Sequence, residues 1–162
     1  MHHDAPLSLE GRYSTDTATV RHISMTNFTD DITSAFLPNV PNLGLTIVEE
    51  QASETFGDAL VVLWSGDVRV QIVRDRSQIF ADLGAAAEPA TWFDAALVME
   101  ALGLTTGAVF GGKDPYAVLP SIAAFLKSVW PELLAMFDAR HCSEIRRRLS
   151  ELRESRAARR WG

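Results

Sequence analysis

Cysteine and lysine are scarce in this chain of 162 residues, and each scarcity limits what the protein can be. The single cysteine, Cys142, rules out a disulfide within the chain and a zinc site of the multi-cysteine type. Only two of the 15 basic residues, Lys113 and Lys127, are lysines. An excess of arginine this large suggests a GC-rich bacterial genome rather than a particular chemistry.

Long apolar runs and a leader sequence are also missing. No run approaches the roughly 20 apolar residues that cross a bilayer. The start, Met-His-His-Asp, lacks the basic and apolar regions of a secretory signal. We therefore expect a cytoplasmic protein without a membrane segment. Its 47% hydrophobic and 22% charged residues are typical of a globular domain with one core.

Recognisable catalytic motifs are absent as well. The loop 105–114 carries three glycines, but they fit neither the G-x-G-x-x-G pattern nor the P-loop, and no G-x-S-x-G nucleophile elbow occurs. His141 and Cys142 are adjacent, and neighbouring residues point apart on a helix. The sequence therefore nominates no catalytic residue, no metal ligand and no cofactor, and it favours a protein that is not an enzyme.

What the sequence does contain is a strong charge asymmetry. Residues 1–138 hold 18 acidic and seven basic residues, a net charge of −11. Residues 139–162 hold eight arginines and three glutamates, a net charge of +5. An acidic body followed by a basic tail points to charged partners, although both can also be solvated surfaces.

Alternating side chains predict four β-strands in the first half of the chain. The segment 59–64 is apolar on both alternating sets, as in a central strand covered on both faces. Ser-Gly-Asp at 65–67 and Asp-Arg-Ser at 75–77 are turn signals between strands. Short turns imply an antiparallel β-meander. The predicted strands are 43–48, 59–64, 68–72 and 79–84.

Apolar spacing and capping residues predict four helices around this sheet. The first spans 29–37 with Thr29 as N-cap, and the second starts at Thr91 and ends near Leu102. The third, 115–137, contains two prolines and is expected to kink or to form two stacked segments. The last helix, 143–159, has only a narrow apolar stripe, Ile145 to Leu152, and its arginines after position 155 should fray into solvent.

Together these elements predict an α+β fold, in which a four-stranded antiparallel β-meander packs against N- and C-terminal helices. The predicted organisation is a flexible arm over 1–24, a single α+β domain over 25–139, and an arginine-rich helix over 140–162.

The stretch 61–84, VVLWSGDVRVQIVRDRSQIFADLG, followed by a tryptophan-bearing helix, resembles small bacterial proteins of unknown function, including predicted immunity proteins of polymorphic toxin systems. The matching residues are Asp75, Arg76, Phe80, Asp82, Gly84 and Trp92. The resemblance covers about residues 28–137. Such proteins act by surface complementarity, so the resemblance implies a protein-binding role and carries no catalytic residue.

The leading functional hypothesis is a non-enzymatic protein-binding domain, in its most specific form an immunity-type protein that masks a basic toxin with an acidic surface. The residues nominated for this surface are Glu49, Glu50, Glu54, Asp58 and Asp67.

Two alternatives stay open. One is a small enzyme or ligand-binding domain with a pocket between the sheet and the helix 115–137. The other is a nucleic-acid-associated protein that contacts phosphates through the basic tail, for which nucleic acid is the less favoured partner. The stripe Ile145 to Leu152 also allows helix pairing between two copies. The nominated tail residues are Arg146, Arg147, Arg148, Arg153 and Arg156.

Overall fold

A computed structural model describes residues 27–53, 57–104 and 111–161. At its centre lies a five-stranded antiparallel sheet in which each strand pairs with the next one along the chain. The predicted α+β fold with an antiparallel β-meander is confirmed, with one more strand than expected. The strands are β1 Thr46–Ala52, β2 Ala59–Ser65, β3 Val68–Asp75, β4 Gln78–Ala85 and β5 Phe93–Asp94.

The extra strand, β5, is only two residues long. Phe93 pairs with Leu83, and Asp94 pairs with Asp82, both of which lie in β4. Two residues carry no alternation of their own, so the sequence pattern assigned them to the start of a helix instead.

Strand β1 differs from its prediction, which placed it at 43–48 and ended it before the acidic run. The strand instead includes Glu49 and Glu50, and a bulge at Val48 shifts its register against β2. Because β1 is an edge strand, most of its side chains are exposed, and polar residues are tolerated there.

Alternate residues of the central strands form the inner face of the sheet. All of them are buried, and they share one core cluster with the buried side chains of the helices. The alternation predicted for 68–72 is therefore confirmed. The inner-face residues are Val61, Leu63, Val68, Val70, Ile72, Ile79, Ala81 and Leu83.

The first helix, α1 Phe28–Asp31, is shorter than the predicted 29–37, and its N-cap is Asn27 rather than Thr29. The chain then winds through wider and tighter turns, because prolines at 38 and 41 prevent a regular helix from continuing. These turns are the π-helical Ile32–Phe36 and the 3-10 segments Leu37–Asn39 and Pro41–Leu43.

The helix α2 covers Ala95–Ala101 and begins later than predicted, since Trp92 lies before it and β5 precedes it directly. Its N-cap is Asp94, whose carboxylate Oδ1 accepts hydrogen bonds from two backbone amides, at 2.7 and 3.2 Å. The cap residue thus ends β5 and starts α2.

The longest helix, α3, covers Pro115–Met136 and contributes ten buried residues to the core. Asp114 caps it, as the Asp-Pro pair predicted. Pro120 and Pro131 lie inside one continuous helix, so the predicted division into two stacked segments is wrong. A proline removes one backbone hydrogen bond, and buried side chains on both sides of each proline keep α3 on the core.

By length and composition alone, α3 is apolar enough to cross a membrane, although it contains charged residues and is no uninterrupted apolar run. Half of its most apolar window is buried inside the protein. Core helices of soluble proteins pass the same test, so the property is weak evidence for a membrane span.

The last helix, α4, covers Cys142–Trp161, and Leu149 is its one buried residue. The rest of its apolar stripe, which was considered for pairing between copies, packs partly buried against the core. The predicted fraying after position 155 is wrong, because Arg156 forms an ion pair with Glu100 of α2 and the helix continues to Trp161.

Candidate functional site

The face of the sheet opposite the core is lined by the second alternating set of strand residues, here called the outer face. None of these residues belongs to the core cluster, although Val62 is only 2% exposed. Strand register arranges them in three rows across β2, β3 and β4. The outer face consists of Leu60, Val62, Trp64, Arg69, Gln71, Val73, Phe80, Asp82 and Gly84.

The first row places a tryptophan beside an arginine. Trp64 pairs with Arg69 across β2 and β3, and 48% of its surface is exposed. The guanidinium of Arg69 lies 4.7 Å from the ring centroid of Trp92, and its Nη1 donates a 2.7 Å hydrogen bond to the carbonyl of Pro89. Trp64, Arg69 and Trp92 therefore form a band of flat side chains along one end of the outer face.

A glycine in β4 makes this band possible. A Cβ added at Gly84 would lie 2.7 Å from the carbonyl oxygen of Thr91 and 3.3 Å from Cε3 of Trp92. The first distance is too short for any side chain, and the obstructing atom is backbone. Gly84 therefore lets the segment that carries Trp92 rest directly on the sheet.

The second row joins the buried Val62 of β2 to two polar residues, Gln71 of β3 and Asp82 of β4. Nε2 of Gln71 donates a 3.2 Å hydrogen bond to Oδ2 of Asp82. The cross-strand partner of Asp82 in β5 is Asp94. Burial raises the pKa of the Asp82 carboxyl, and the charge of Asp94 raises it further, while Gln71 and Arg153 act in the opposite direction. Two carboxylates in one cross-strand pair disfavour full ionisation.

The third row is apolar and half-buried, with Leu60, Val73 and Phe80 side by side. On this side of the sheet, the prediction that 59–64 is covered on both faces is confirmed at Val62, which is buried, and is wrong at Trp64. Leu60 is only partly buried, and Trp64 is nearly half exposed. Apolar side chains that stay partly exposed on a sheet face are typical of interaction surfaces.

The acidic residues nominated from sequence are spread over the sheet and do not form one patch. Glu49 lies on the outer-face side of β1, opposite Val62, whereas Glu50 is on the other side of the strand. Asp67 lies in the turn between β2 and β3, next to the Trp64 end of the outer face.

Asp58 lies at the opposite end of β2 from Asp67, roughly 20 Å away along a seven-residue strand. Its carboxylate accepts a 3.0 Å hydrogen bond from the amide of Arg76 and so supports the β3–β4 turn. The remaining nominee, Glu54, lies outside the described residues.

The basic tail is engaged by the protein itself. Arg148 donates to the carbonyl of Ala101 at the end of α2, and Arg147 pairs with Glu151 inside α4. The other three nominated arginines also have partners in the protein. Arg146 pairs with Glu88, Arg153 donates to the carbonyl of Trp92, and Arg156 pairs with Glu100. The hydrogen bond from Arg156 is the main cause that holds the pKa of the Glu100 carboxyl below its usual value.

A second polar site lies where α1 meets the sheet. Asp31 is the one buried charged residue in the described part of the chain, and its Oδ2 lies 3.9 Å from Nη1 of Arg74. Arg74 also donates to the carbonyl of Gly57 at 2.7 Å and stacks on Phe28 at 4.8 Å. Burial raises the pKa of the Asp31 carboxyl, and Arg74 opposes that shift. These contacts join α1 to β3.

Two clefts along the described chain lie away from the space between the sheet and the helix 115–137, where a pocket was predicted. Their described lining residues come from α1 with its N-cap, β1 to β3, and the ends of those strands. The larger cleft is open and measures about 420 Å³. Where α3 faces the sheet, Leu119, Ile122 and Leu126 are fully buried in the packed core.

Within residues 27–53, 57–104 and 111–161, no group of three or more histidine, cysteine, aspartate or glutamate side chains is arranged to hold a metal ion. Comparison with known proteins finds no matching family model, no matching curated protein and no matching solved structure. The geometry of the outer face is therefore the main guide to function.

Sequence reasoning missed the tryptophan–arginine band. A signal for it was present, since the turn at 65–67 pairs Trp64 with Arg69 and the alternation turns Arg69 away from the core. Trp92 joins them only through the fold, because residue 92 is remote in sequence and reaches the sheet over Gly84.

Proposed function

We propose that this chain is a non-enzymatic protein-binding domain that uses the outer face of its sheet to bind a basic protein partner. The observation that carries the proposal is Trp64, a large aromatic residue left nearly half exposed beside Arg69 on the outer face. Tryptophan and arginine dominate the binding energy of protein interfaces, because both combine a large flat surface with polar groups.

The composition of the face suits an interface. An apolar row, Leu60, Val73 and Phe80, lies at one end, and the Trp64 band lies at the other. Between them the polar groups of Gln71 and Asp82 are already hydrogen-bonded to each other. A partner could therefore cover apolar surface while Nε2 of Gln71 and Oδ2 of Asp82 remain paired with each other.

The charges around the face favour a basic partner. Among the described residues, Glu49 on the outer-face side of β1 and Asp67 beside Trp64 take part in no ion pair within 4.0 Å. The arginines of α4, in contrast, contact other groups of the same chain. Glu49 and Asp67 are both exposed and place negative charge beside the outer face, which speeds association with a positive surface.

In its most specific form, the proposal is an immunity-type protein of the cytoplasm that masks a basic toxin. The partner in that case is an enzyme with a positively charged substrate cleft, and binding of this chain abolishes its activity. The basic tail is less suited to nucleic acid, because phosphates would have to compete with the groups that α4 already contacts.

The test is photo-crosslinking in the native host from a benzoylphenylalanine placed at position 64. The matched control carries the same group at Leu134, a 40% exposed position on α3, away from the outer face. We expect position 64 to give a specific product that contains a basic protein, and we expect position 134 not to give this product.

The partner is then purified, and its affinity is measured for wild type and for E49K. The control charge reversal is E132K on α3.

Loss of affinity in E49K but not in E132K supports the proposal, as does inhibition of the partner's activity by wild type. Crosslinks that are the same from positions 64 and 134, or a partner that binds E49K and wild type equally, would overturn it.

A further inference from the structure

The segment 88–93 connects the sheet to α2, and it has little regular structure to hold it in place. Its described backbone bonds are two local turns and the short pairing of β5 with β4. In the turns, the amide of Glu88 donates to the carbonyl of Ala85, and the amide of Thr91 donates to the carbonyl of Glu88. Short strands of this kind contribute little stability on their own. Its position therefore depends on side chains from elsewhere.

On the side of the sheet, Arg69 holds this segment at two points. It donates to the carbonyl of Pro89 at 2.7 Å, and its guanidinium stacks on the ring of Trp92 at 4.7 Å. The absence of a side chain at Gly84 allows this close approach.

On the other side, α4 holds the same segment through two arginines. Nη2 of Arg153 donates a 3.1 Å hydrogen bond to the carbonyl of Trp92, and its guanidinium lies 5.3 Å from the ring centroid of Phe93. Nη1 of Arg146 lies 3.3 Å from the carboxylate of Glu88. The segment is therefore held between the sheet and α4.

We infer that Arg153 is a positioning residue for the outer face. Arg153 binds the carbonyl of Trp92 and so fixes the position of the Trp92 ring. Arg69 stacks on that ring, and Arg69 is the cross-strand neighbour of the exposed Trp64. The arginines of α4 thus act on the binding face through the segment 88–93. This inference rests on the proposed function for its effect on binding, but its effect on Trp92 requires no partner.

The attachment of α4 suits such a role. Its one buried residue is Leu149, and Cys142, Ile145 and Leu152 pack partly buried against the core. Its arginines add contacts at the protein surface. Surface ion pairs are individually weak and are screened by salt. A single arginine of α4 can therefore be changed without removing the core packing of the domain.

The test is ¹⁹F NMR of the full chain labelled with 5-fluorotryptophan. The four tryptophans provide four signals, and the Trp92 signal is assigned with W92F. We expect R153Q to shift or broaden the Trp92 signal and to leave that of Trp130 unchanged. The matched control is R147Q, whose arginine pairs only with Glu151 of its own helix among the described residues and should leave all four signals in place.

A Trp92 signal that is the same in R153Q and wild type would overturn the inference. So would equal shifts at Trp92 and Trp130, since these would indicate general loosening of the fold. Partial recovery of the Trp92 signal in R153K, which retains the charge and a donor, is the expected rescue.

With the partner from the crosslinking experiment, R153Q should weaken binding by about fivefold. R147Q should change the affinity by less than about twofold. If no partner is found, the proposed function fails while the NMR result still decides whether Arg153 positions Trp92.

Discussion

The two faces of the sheet are built from the same strands, yet different interactions hold them. The inner face is a continuous set of buried aliphatic side chains in contact with α3 and the other helices. The outer face combines exposed Trp64, stacked Arg69 and a hydrogen-bonded Gln71–Asp82 pair. The comparison suggests that the inner face provides stability and the outer face recognition, and each can be tested separately.

The largest expected effect is on the inner face. Ile72 is fully buried at the centre of β3, so I72A should leave a cavity and lower the free energy of unfolding by about 2–5 kcal/mol. Urea denaturation measures it. The control is V73A, one residue along on the half-buried outer face, which should cost clearly less. Equal losses in the two variants would contradict the distinction between the faces.

The second-largest effect is expected at Gly84, where the segment 88–93 rests on the outer face. In G84A the new methyl group would collide with the carbonyl of Thr91, so Trp92 must move away from the sheet. We expect a loss of about 1–3 kcal/mol in unfolding free energy, together with a change in tryptophan fluorescence. Wild-type stability with unchanged fluorescence would show that Trp92 does not rest on Gly84 as described.

A smaller effect, with the opposite sign, is expected for D82N. The pKa of the Asp82 carboxyl is raised in the folded protein, so ionisation of this carboxyl opposes folding. The free energy of unfolding therefore falls as the pH rises from about 3.8 through the pKa of the folded state. D82N removes the charge and should raise the unfolding free energy at neutral pH by less than about 1 kcal/mol, since the side chain is partly hydrated.

The measurement is urea denaturation of wild type and D82N at neutral pH and at a pH below 3.8. The advantage of D82N should be present at neutral pH and disappear at the acidic pH. An advantage of the same size at both pH values would assign the effect to something other than the charge of Asp82.

The smallest effect on stability is expected for W64A. Trp64 is nearly half exposed and its ring is not part of the core cluster, so the unfolding free energy should change by only about 0.5 kcal/mol. Binding of the crosslinked partner should nevertheless fall at least about 30-fold, as for an interface hot spot. A variant that loses stability but retains affinity would reverse the assignment of the outer face.

Much of the fold was predictable because its signals are local. The alternation in β3 and the turns at 66–67 and 76–77 are contained within a few residues, and they predict an antiparallel meander directly. The Asp-Pro pair before α3 predicted its cap for the same reason. Errors occurred where local signals are weak, as in the two residues of β5 and the polar edge strand β1.

The candidate site was less predictable. Acidic residues were nominated because their charge is visible in the sequence, but the fold places Asp58 and Asp67 at opposite ends of β2. The arginines of α4 were identified correctly as a basic helix, while their contacts with Glu88, Trp92 and Glu100 depend on where that helix packs. Sequence distance hides such contacts, because they join residues about 60 positions apart.

By itself, the sequence determined the antiparallel meander, the buried alternate residues and the basic character of the last helix, because each depends on neighbours along the chain. Only the tertiary structure decided that Trp92 lies over Gly84 beside Arg69, and that α4 turns its arginines toward its own protein. These arrangements require close packing between distant segments, and that packing is a property of the folded chain as a whole.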